Sequence, residues 1–371
     1  MATVQSATPL KEATLYTGKK IPNLGIGTWK LANEKATSVV YNAIKLGYRH
    51  IDCASIYENE VEVGKGIHAA ISEGICRRED LFVTSKLWNT DHRKEHVPEA
   101  IKRTLSDLQL TYLDLYLIHF PLSLKYVDPK ITYPGGWIHD PSAKNPKMEL
   151  DDVTIEETWR AMESLVDLGL TKHIGLSNFD LQLLQDLLKY CRVKPAALQT
   201  ELHPHLVQKH LVRFCSSRDI VITSYSPFDS KRLLNLFWEC CIISFGFVSS
   251  HPVGKHRLYL HERGVGYVEI GFCPPNFKQV LQEETVLSLA KKYNRTPAQI
   301  ILRSILQRDD KMTVIPKATS QVHLEENRNV YDFTLSKEDV EAMTSLSTQM
   351  RFNNTGIYTE KLFGEYFPIF D

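Results

Sequence analysis

The sequence predicts an α/β protein of one domain, a (β/α)8 TIM barrel. Short apolar runs alternate with amphipathic stretches through eight β-then-α units. A length of 371 residues is more than most single domains have, yet suits one barrel. Polar and titratable residues follow the apolar runs, at the strand ends where a barrel carries its chemistry. An open doubly wound sheet is the alternative, but eight units exceed what most open sheets need.

The first strand is read at Leu24–Gly27, before a helical pattern over Glu34–Leu46. Arg49–Asp52 is the second strand and Glu58–Ser72 its helix; Phe82–Lys86 and Pro98–Leu108 form the third unit. Leu113–His119 is the fourth strand, and its helix over Thr154–Leu168 opens with Thr154 three residues before Glu157, a capping-box spacing. His173–Ser177 with Leu181–Tyr190, and Leu198–Glu201 with Lys209–Ser216, are the fifth and sixth units. Val221–Tyr225 is the seventh strand, and after a long interruption come helices at Glu283–Lys292 and Pro297–Leu306. Thr313–Pro316 is the eighth strand and Leu335–Leu346 the closing helix.

Composition narrows the function classes. The 44 basic residues balance the 44 acidic ones, which argues against a nucleic-acid or other polyanion partner. Met1–Lys11 lacks the apolar run of a signal peptide. The longest apolar stretch, Leu233–Val248, contains Glu239 and is shorter than the ~20 residues of a membrane span, so no membrane association is expected. Seven cysteines, an odd number without a C-x-x-C pair, indicate neither a disulfide framework nor a metal site, and a cytoplasmic location fits best.

The residues just past the strands include Asp52 and Tyr57, Lys86, His119, Ser177 and Asn178, Gln199 and Glu201, Tyr225 and Ser226, and Lys317. Tyrosine is a weak acid with a pKa of about 10, and an ammonium such as that of Lys86 is expected to lower it. Asp52 would hold Lys86, Tyr57 would give a proton to an oxygen becoming negative, and His119 would hydrogen-bond the same oxygen. That set suits carbonyl reduction, with the hydride supplied by a nicotinamide cofactor. Each residue alone has an ordinary structural reading, a satisfied histidine or a plain ion pair; the inference rests on all four falling at strand ends. Gly25-Ile26-Gly27 begins a dinucleotide fingerprint, but Lys30 stands where its third glycine belongs. A phosphate site is expected instead at Ile315–Ser320, which offers a cation, two hydroxyls and a helix start after the last strand.

These residues lie in segments that resemble the aldo-keto reductases, on the aldose reductase and xylose reductase side. The segments are GIGTW at Gly25–Trp29, IDCASIYENEVEVG at Ile51–Gly64, TSKLWN at Thr84–Asn89 and YLIHFP at Tyr116–Pro121. GLSNF at Gly175–Phe179, QTELHPHL at Gln199–Leu206, SYSP at Ser224–Pro227, IPKA at Ile315–Ala318 and RFN at Arg351–Asn353 continue the likeness. The resemblance implies that Asp52, Tyr57, Lys86 and His119 are a catalytic tetrad with Tyr57 as general acid. It implies that Ser177, Asn178 and Gln199 bind a nicotinamide carboxamide, that Tyr225 stacks on its ring, and that Gly27, Thr28 and Ser226 also contact the cofactor. Lys317, Thr319, Ser320, His323, Glu326 and Asn327 then lie where the family holds a 2′-phosphate and adenine, and Trp29, Trp88, His119 and Phe120 line the substrate pocket. The implied cofactor is NADP(H) and the implied partner a small aldehyde or aldose, with a monomer or homodimer as the working unit.

Two departures matter. The resemblance expects arginine where His323 stands. Histidine is mostly neutral at pH 7 and lacks the guanidinium fork, so use of NAD(H) beside NADP(H) is expected. The stretch from Tyr225 to Thr296 is also longer than the family needs, and the surplus lies in an atypical insertion, 229–277, where the resemblance places a cofactor-covering loop. It reads as a lid or partner-binding insertion, as an extra packed element, or as non-native sequence such as a translated intron. The last is favoured, because family character resumes near Gly266–Ile270 and an exposed apolar strip is a liability. The tail, 351–371, is expected near the pocket mouth. The competing function is a weak or inactive barrel serving as a binding, regulatory or structural protein.

Overall fold

The computed structural model describes residues 10–144, 147–228 and 279–353. The insertion read at 229–277 and the tail beyond residue 353 lie outside the described residues.

The barrel strands are β3 (Ile26–Gly27), β4 (His50–Asp52), β5 (Phe82–Leu87), β6 (Leu113–Ile118), β7 (Thr171–Ser177), β8 (Ala197–Glu201), β9 (Val221–Tyr225) and β10 (Met312–Val314). These eight strands are neighbours in chain order, each parallel to the next. The first and last also meet: Leu24 bridges Val314 in parallel, and the Gly25 amide donates to the Val314 carbonyl at 2.9 Å. The sheet therefore closes, as the alternation of elements predicted, and the open-sheet alternative falls. Nearly every strand residue is buried, as expected for a sheet with a filled interior and helices outside.

The helices are α1 (Asn33–Lys45), α2 (Glu60–Ser72), α3 (Val97–Leu108), α4 (Ile155–Asp167), α5 (Leu181–Tyr190), α6 (Lys209–Ser216), α7 (Glu284–Tyr293), α8 (Pro297–Leu306), α9 (Gln321–Arg328) and α10 (Lys337–Thr344). Their apolar faces pack on the barrel exterior through residues such as Ile44, Ile67, Ile101, Met162, Leu187 and Ile301, all buried. Thr154 caps α4 by accepting from the Glu157 amide, as its spacing predicted. Buried Glu60 ties three elements, accepting from Ser85 Oγ of β5 at 2.6 Å and Thr104 Oγ1 of α3 at 3.0 Å. Among the described residues no helix is long and apolar enough to cross a membrane.

Two local features depart from the expected pattern. A hairpin of β1 (Glu12–Thr14) and β2 (Lys20–Pro22) precedes the barrel. Its Ala13, Leu15 and Ile21 pack with Phe82, Leu115, Ala197 and Val221, so they plug the mouth where strands begin. The helix expected from Glu58 starts only at Glu60, after a 3-10 turn over Ser55–Tyr57. Asn59 explains the delay: its Nδ2 donates to the carbonyls of Thr28 at 2.9 Å and Leu31 at 3.0 Å, and Glu58 takes a left-handed φ of 57°. Tyr57 is thereby left on a tight turn at the rim rather than on a helix.

Gly175, inside β7, allows three strands to approach closely. A Cβ there would fall on the Ala197 carbonyl oxygen and 2.8 Å from Leu117 Cδ2. Gly175→Ala is expected to destabilise the barrel by about 1–3 kcal/mol through overpacking, read as a lower midpoint in urea. An unchanged midpoint would contradict this packing.

Candidate active site

Four titratable side chains reach the C-terminal rim from adjacent units. Asp52 ends β4, Tyr57 ends the 3-10 turn after it, Lys86 is next to last in β5, and His119 follows β6. Lys86 Nζ donates to Asp52 Oδ1 at 2.6 Å, to the Cys53 carbonyl at 2.7 Å and to the Tyr57 hydroxyl at 3.2 Å. These three acceptors match the three donors of an ammonium group. The other Asp52 oxygen accepts from Gln199 Nε2 at 2.6 Å. Lys86 and Asp52 are only 1% and 2% exposed, so the pair is held by hydrogen bonds within the protein rather than by water.

The electrostatics correct one expectation. The sequence predicts that Lys86 lowers the pKa of Tyr57 below its ordinary value. Burial instead pushes the phenol up to about 12, and the Lys86 ammonium offsets only part of that rise. Burial also works against the Lys86 charge, but Asp52 and Tyr57 hold its pKa above the ordinary lysine value. Tyr57 thus stays protonated at neutral pH. Because Lys86 donates into its oxygen, the single phenolic proton is left for another acceptor.

His119 is 7% exposed and stacks on Phe120 with ring centroids 4.9 Å apart. Trp88 and Tyr57 meet its ring edge-on at 5.3 and 5.8 Å. Burial, with a smaller contribution from Lys86, drives the imidazole pKa well below 6.5, so the ring is neutral. Among the described residues its buried Nδ1 has no hydrogen-bond partner, and the rings packed around it orient it.

Trp88 and Phe120 form a wall with a third ring that the sequence reading missed. Trp137 lies edge-on to Trp88 at 4.9 Å and within 5.3 Å of Phe120. It comes from the long segment after β6, which folds back on a small cluster of Leu122, Leu124 and Met148. Spacing offered no signal for it, although the tryptophan beside Gly135 and Gly136 in an otherwise polar stretch could have drawn notice. Trp29 stands apart at the rim, 38% exposed, with Lys30 Nζ 4.1 Å from its ring centroid.

The expected cofactor residues of β7 and β9 also come together. Asn178, at a left-handed φ of 63°, donates to the His119 carbonyl at 2.9 Å and to Ser177 Oγ at 3.2 Å. Its Oδ1 accepts from the Tyr225 hydroxyl at 2.7 Å. Ser226 follows with a φ of 49°. Non-glycine residues in this conformation cost energy and often mark functional rims. Gly27 and Thr28 sit deeper. A Cβ on Gly27 would come 2.8 Å from the Ile315 carbonyl, and Thr28 Oγ1 donates to the Asp52 carbonyl at 2.9 Å, so both serve packing at the barrel closure. After β10, Lys317, Thr319 and Ser320 are exposed, and Ser320 Oγ caps α9 by accepting from the His323 amide at 3.2 Å. His323 is exposed, Glu326 half-buried and Asn327 buried along α9. A cation, two hydroxyls and a helix N-terminus form a donor set that fits a phosphate group.

A closed parallel barrel with a tyrosine, lysine, aspartate and histidine at its C-terminal rim defines a class of oxidoreductase. The chain belongs to the aldo/keto reductase family, whose sequence profile matches residues 23–348. It is 41% identical over 356 residues to a probable NAD(P)H-dependent D-xylose reductase xyl1 of Aspergillus flavus, covering 96% of this chain and 98% of that one. It is 40% identical over 350 residues to the NAD(P)H-dependent D-xylose reductase XYR1 of Pyricularia oryzae, covering 94% and 97%. Among solved structures, the aldose reductase of Schistosoma japonicum aligns with a TM-score of 0.75 at 34% identity, covering 97% and 98% of the two chains.

The charge arrangement yields two expectations. Neither Tyr57 nor His119 titrates near neutrality, so kcat/KM for carbonyl reduction should be flat between about pH 7 and 9. An inflection in that window that vanishes in Tyr57→Phe or His119→Gln would contradict the assignment. Lys86→Met should lower kcat by about 100-fold or more if Tyr57 gives up its proton in the reaction, because its phenolate would then lack the neighbouring cation; a loss below threefold would contradict that role.

Proposed function

We propose that this protein reduces the carbonyl of aldehydes and aldoses to an alcohol with NAD(P)H, Tyr57 acting as general acid. The observation that carries the reading is the Asp52–Lys86–Tyr57 chain of 2.6 and 3.2 Å contacts beside a neutral His119. The bound nicotinamide would supply the hydride. Tyr57 and His119 would both hydrogen-bond the substrate oxygen and polarise the carbonyl. The substrate oxygen, gaining the C=O π pair as the carbonyl carbon is reduced, would take the Tyr57 proton. Lys86, fixed by Asp52, stabilises the phenolate until it regains a proton from water. The wall of Trp88, Phe120 and Trp137 would exclude solvent and present an apolar face to the substrate.

Ser177, Asn178, Gln199 and Tyr225 would hold the nicotinamide end, with Ser226 beside them. Lys317, Thr319 and Ser320 would hold a phosphate, and Glu326 and Asn327 the adenine end. Two of the amide groups are already engaged, Asn178 with Tyr225 and Gln199 with Asp52, so the carboxamide would exchange into existing hydrogen bonds. The exposed His323 would grip a 2′-phosphate less firmly than an arginine, and appreciable use of NADH beside NADPH follows.

Oxidation of NADPH, and separately of NADH, should be measured with xylose and glyceraldehyde. Turnover with both cofactors at rates within about tenfold is expected; strict NADPH use would contradict the His323 argument. Cofactor binding without turnover would favour a binding or regulatory barrel over a reductase. The same assay on a chain lacking Lys231–Arg263 tests the insertion. Activity confined to the shortened chain is the outcome expected if that segment is foreign to the fold, and equal activity in both would contradict it.

A further inference from the structure

Glu201, the last residue of β8, is fully buried. Among the described residues its carboxylate receives three hydrogen bonds. Oε1 accepts from His203 Nε2 at 3.0 Å and from the Phe352 backbone amide at 2.7 Å, and Oε2 accepts from the Asn353 backbone amide at 2.8 Å. Residues 347–353 form no helix or strand, so their amides need partners from elsewhere. The His205 carbonyl accepts from the Thr348 and Met350 amides, both at 3.2 Å. The His203 ring lies 4.9 Å from that of Phe352. The segment is thus laid along the loop after β8 and pinned at its far end by one carboxylate.

The pinned end reaches the cofactor side of the rim. Asn353 Nδ2 donates to Ser226 Oγ at 3.2 Å, and Ser226 holds a left-handed φ of 49°. Tyr225, next to it, accepts at its carbonyl from the Leu202 amide at 3.4 Å, and through its hydroxyl it bonds Asn178, which in turn holds the His119 carbonyl. A continuous set of contacts therefore runs from Glu201 through Asn353 and Ser226 to the Tyr225 shelf and the backbone of His119.

We infer that Glu201 is a positioning residue: its carboxylate anchors the segment 347–353, and through Asn353 and Ser226 it couples that segment to the Tyr225 shelf that takes the nicotinamide ring. The coupling rests on the reductase reading above; the anchor does not. Coupling is reciprocal, so a docked segment that favours cofactor must itself be held more tightly when cofactor binds. A plain structural tether would show no such response.

The test follows hydrogen–deuterium exchange in peptides covering 347–353, with and without NADPH, alongside NADPH affinity from quenching of protein fluorescence. Glu201→Gln replaces an acceptor oxygen with an NH2 donor that cannot accept from a backbone amide. In this variant exchange of the segment should quicken about tenfold and the NADPH Kd should rise about fivefold. In the unaltered protein NADPH should slow exchange of the segment, and in Glu201→Gln that slowing should shrink. Asn353→Ala keeps the backbone bonds to Glu201 and loses the Ser226 link. It should leave exchange without cofactor unchanged and weaken the NADPH response, which keeps the coupling testable if Glu201→Gln fails to fold. Unchanged exchange in a folded Glu201→Gln would overturn the anchor. Exchange in the unaltered protein that ignores bound NADPH would overturn the coupling. Absence of NADPH binding to the unaltered protein would overturn the reductase reading, and with it the coupling, while leaving the effect of Glu201→Gln on exchange in place.

Discussion

The C-terminal rim depends on one ion pair kept out of water. Taking an ammonium and a carboxylate from solvent costs several kcal/mol per ion, and the Lys86–Asp52 pair holds only because its groups find partners in the protein. The barrel supplies them from four places: β4 gives Asp52, the next residue gives the Cys53 carbonyl, the 3-10 turn gives Tyr57, and β8 gives Gln199. Removing one member leaves a buried charge or lone pair uncompensated, which makes the group sensitive as a unit. The same burial keeps Tyr57 protonated and His119 neutral, so the proposed acid and the proposed hydrogen-bond donor are set by one environment.

Around that pair the rim is built from residues whose backbones are hard to place. Lys30, Glu58, Asn178 and Ser226 all have positive φ, and each stands in the loop after a barrel strand. Such conformations persist where surrounding contacts enforce them. Asn59 enforces the turn that carries Tyr57, Tyr225 and the His119 carbonyl hold the Asn178 side chain, and Asn353 holds that of Ser226. The closed sheet provides rigidity, and the loops provide the aim.

Much of this was legible in the sequence, for physical reasons. Strands such as Leu113–Ile118, buried on both faces, appear as short runs that are apolar at every position but Asp114, and helices such as α3 carry a strong 3.6-residue period. Asp52, Lys86 and His119 could be found because a barrel places strand-end residues at its active rim. The β1–β2 hairpin was not legible, since strands of three residues are too short to establish a period. Trp137 was hidden because its approach to Trp88 depends on how a long loop folds back, which no local pattern encodes. The sign of the Tyr57 shift was also out of reach. Sequence shows the neighbouring lysine but not the depth of burial, and burial wins.

The most direct measurement of the central claim is turnover by Tyr57→Phe with its cofactor affinity recorded in parallel. Phenylalanine keeps the ring against His119 and leaves Lys86 paired with Asp52, so the fold and the cofactor site should survive. The account predicts an NADPH Kd within about twofold of the unaltered protein and a loss of kcat of about 100-fold to 10,000-fold, the range expected for removing a general acid. Retention of kcat within about tenfold, with binding intact, would place the proton donor elsewhere and contradict the account.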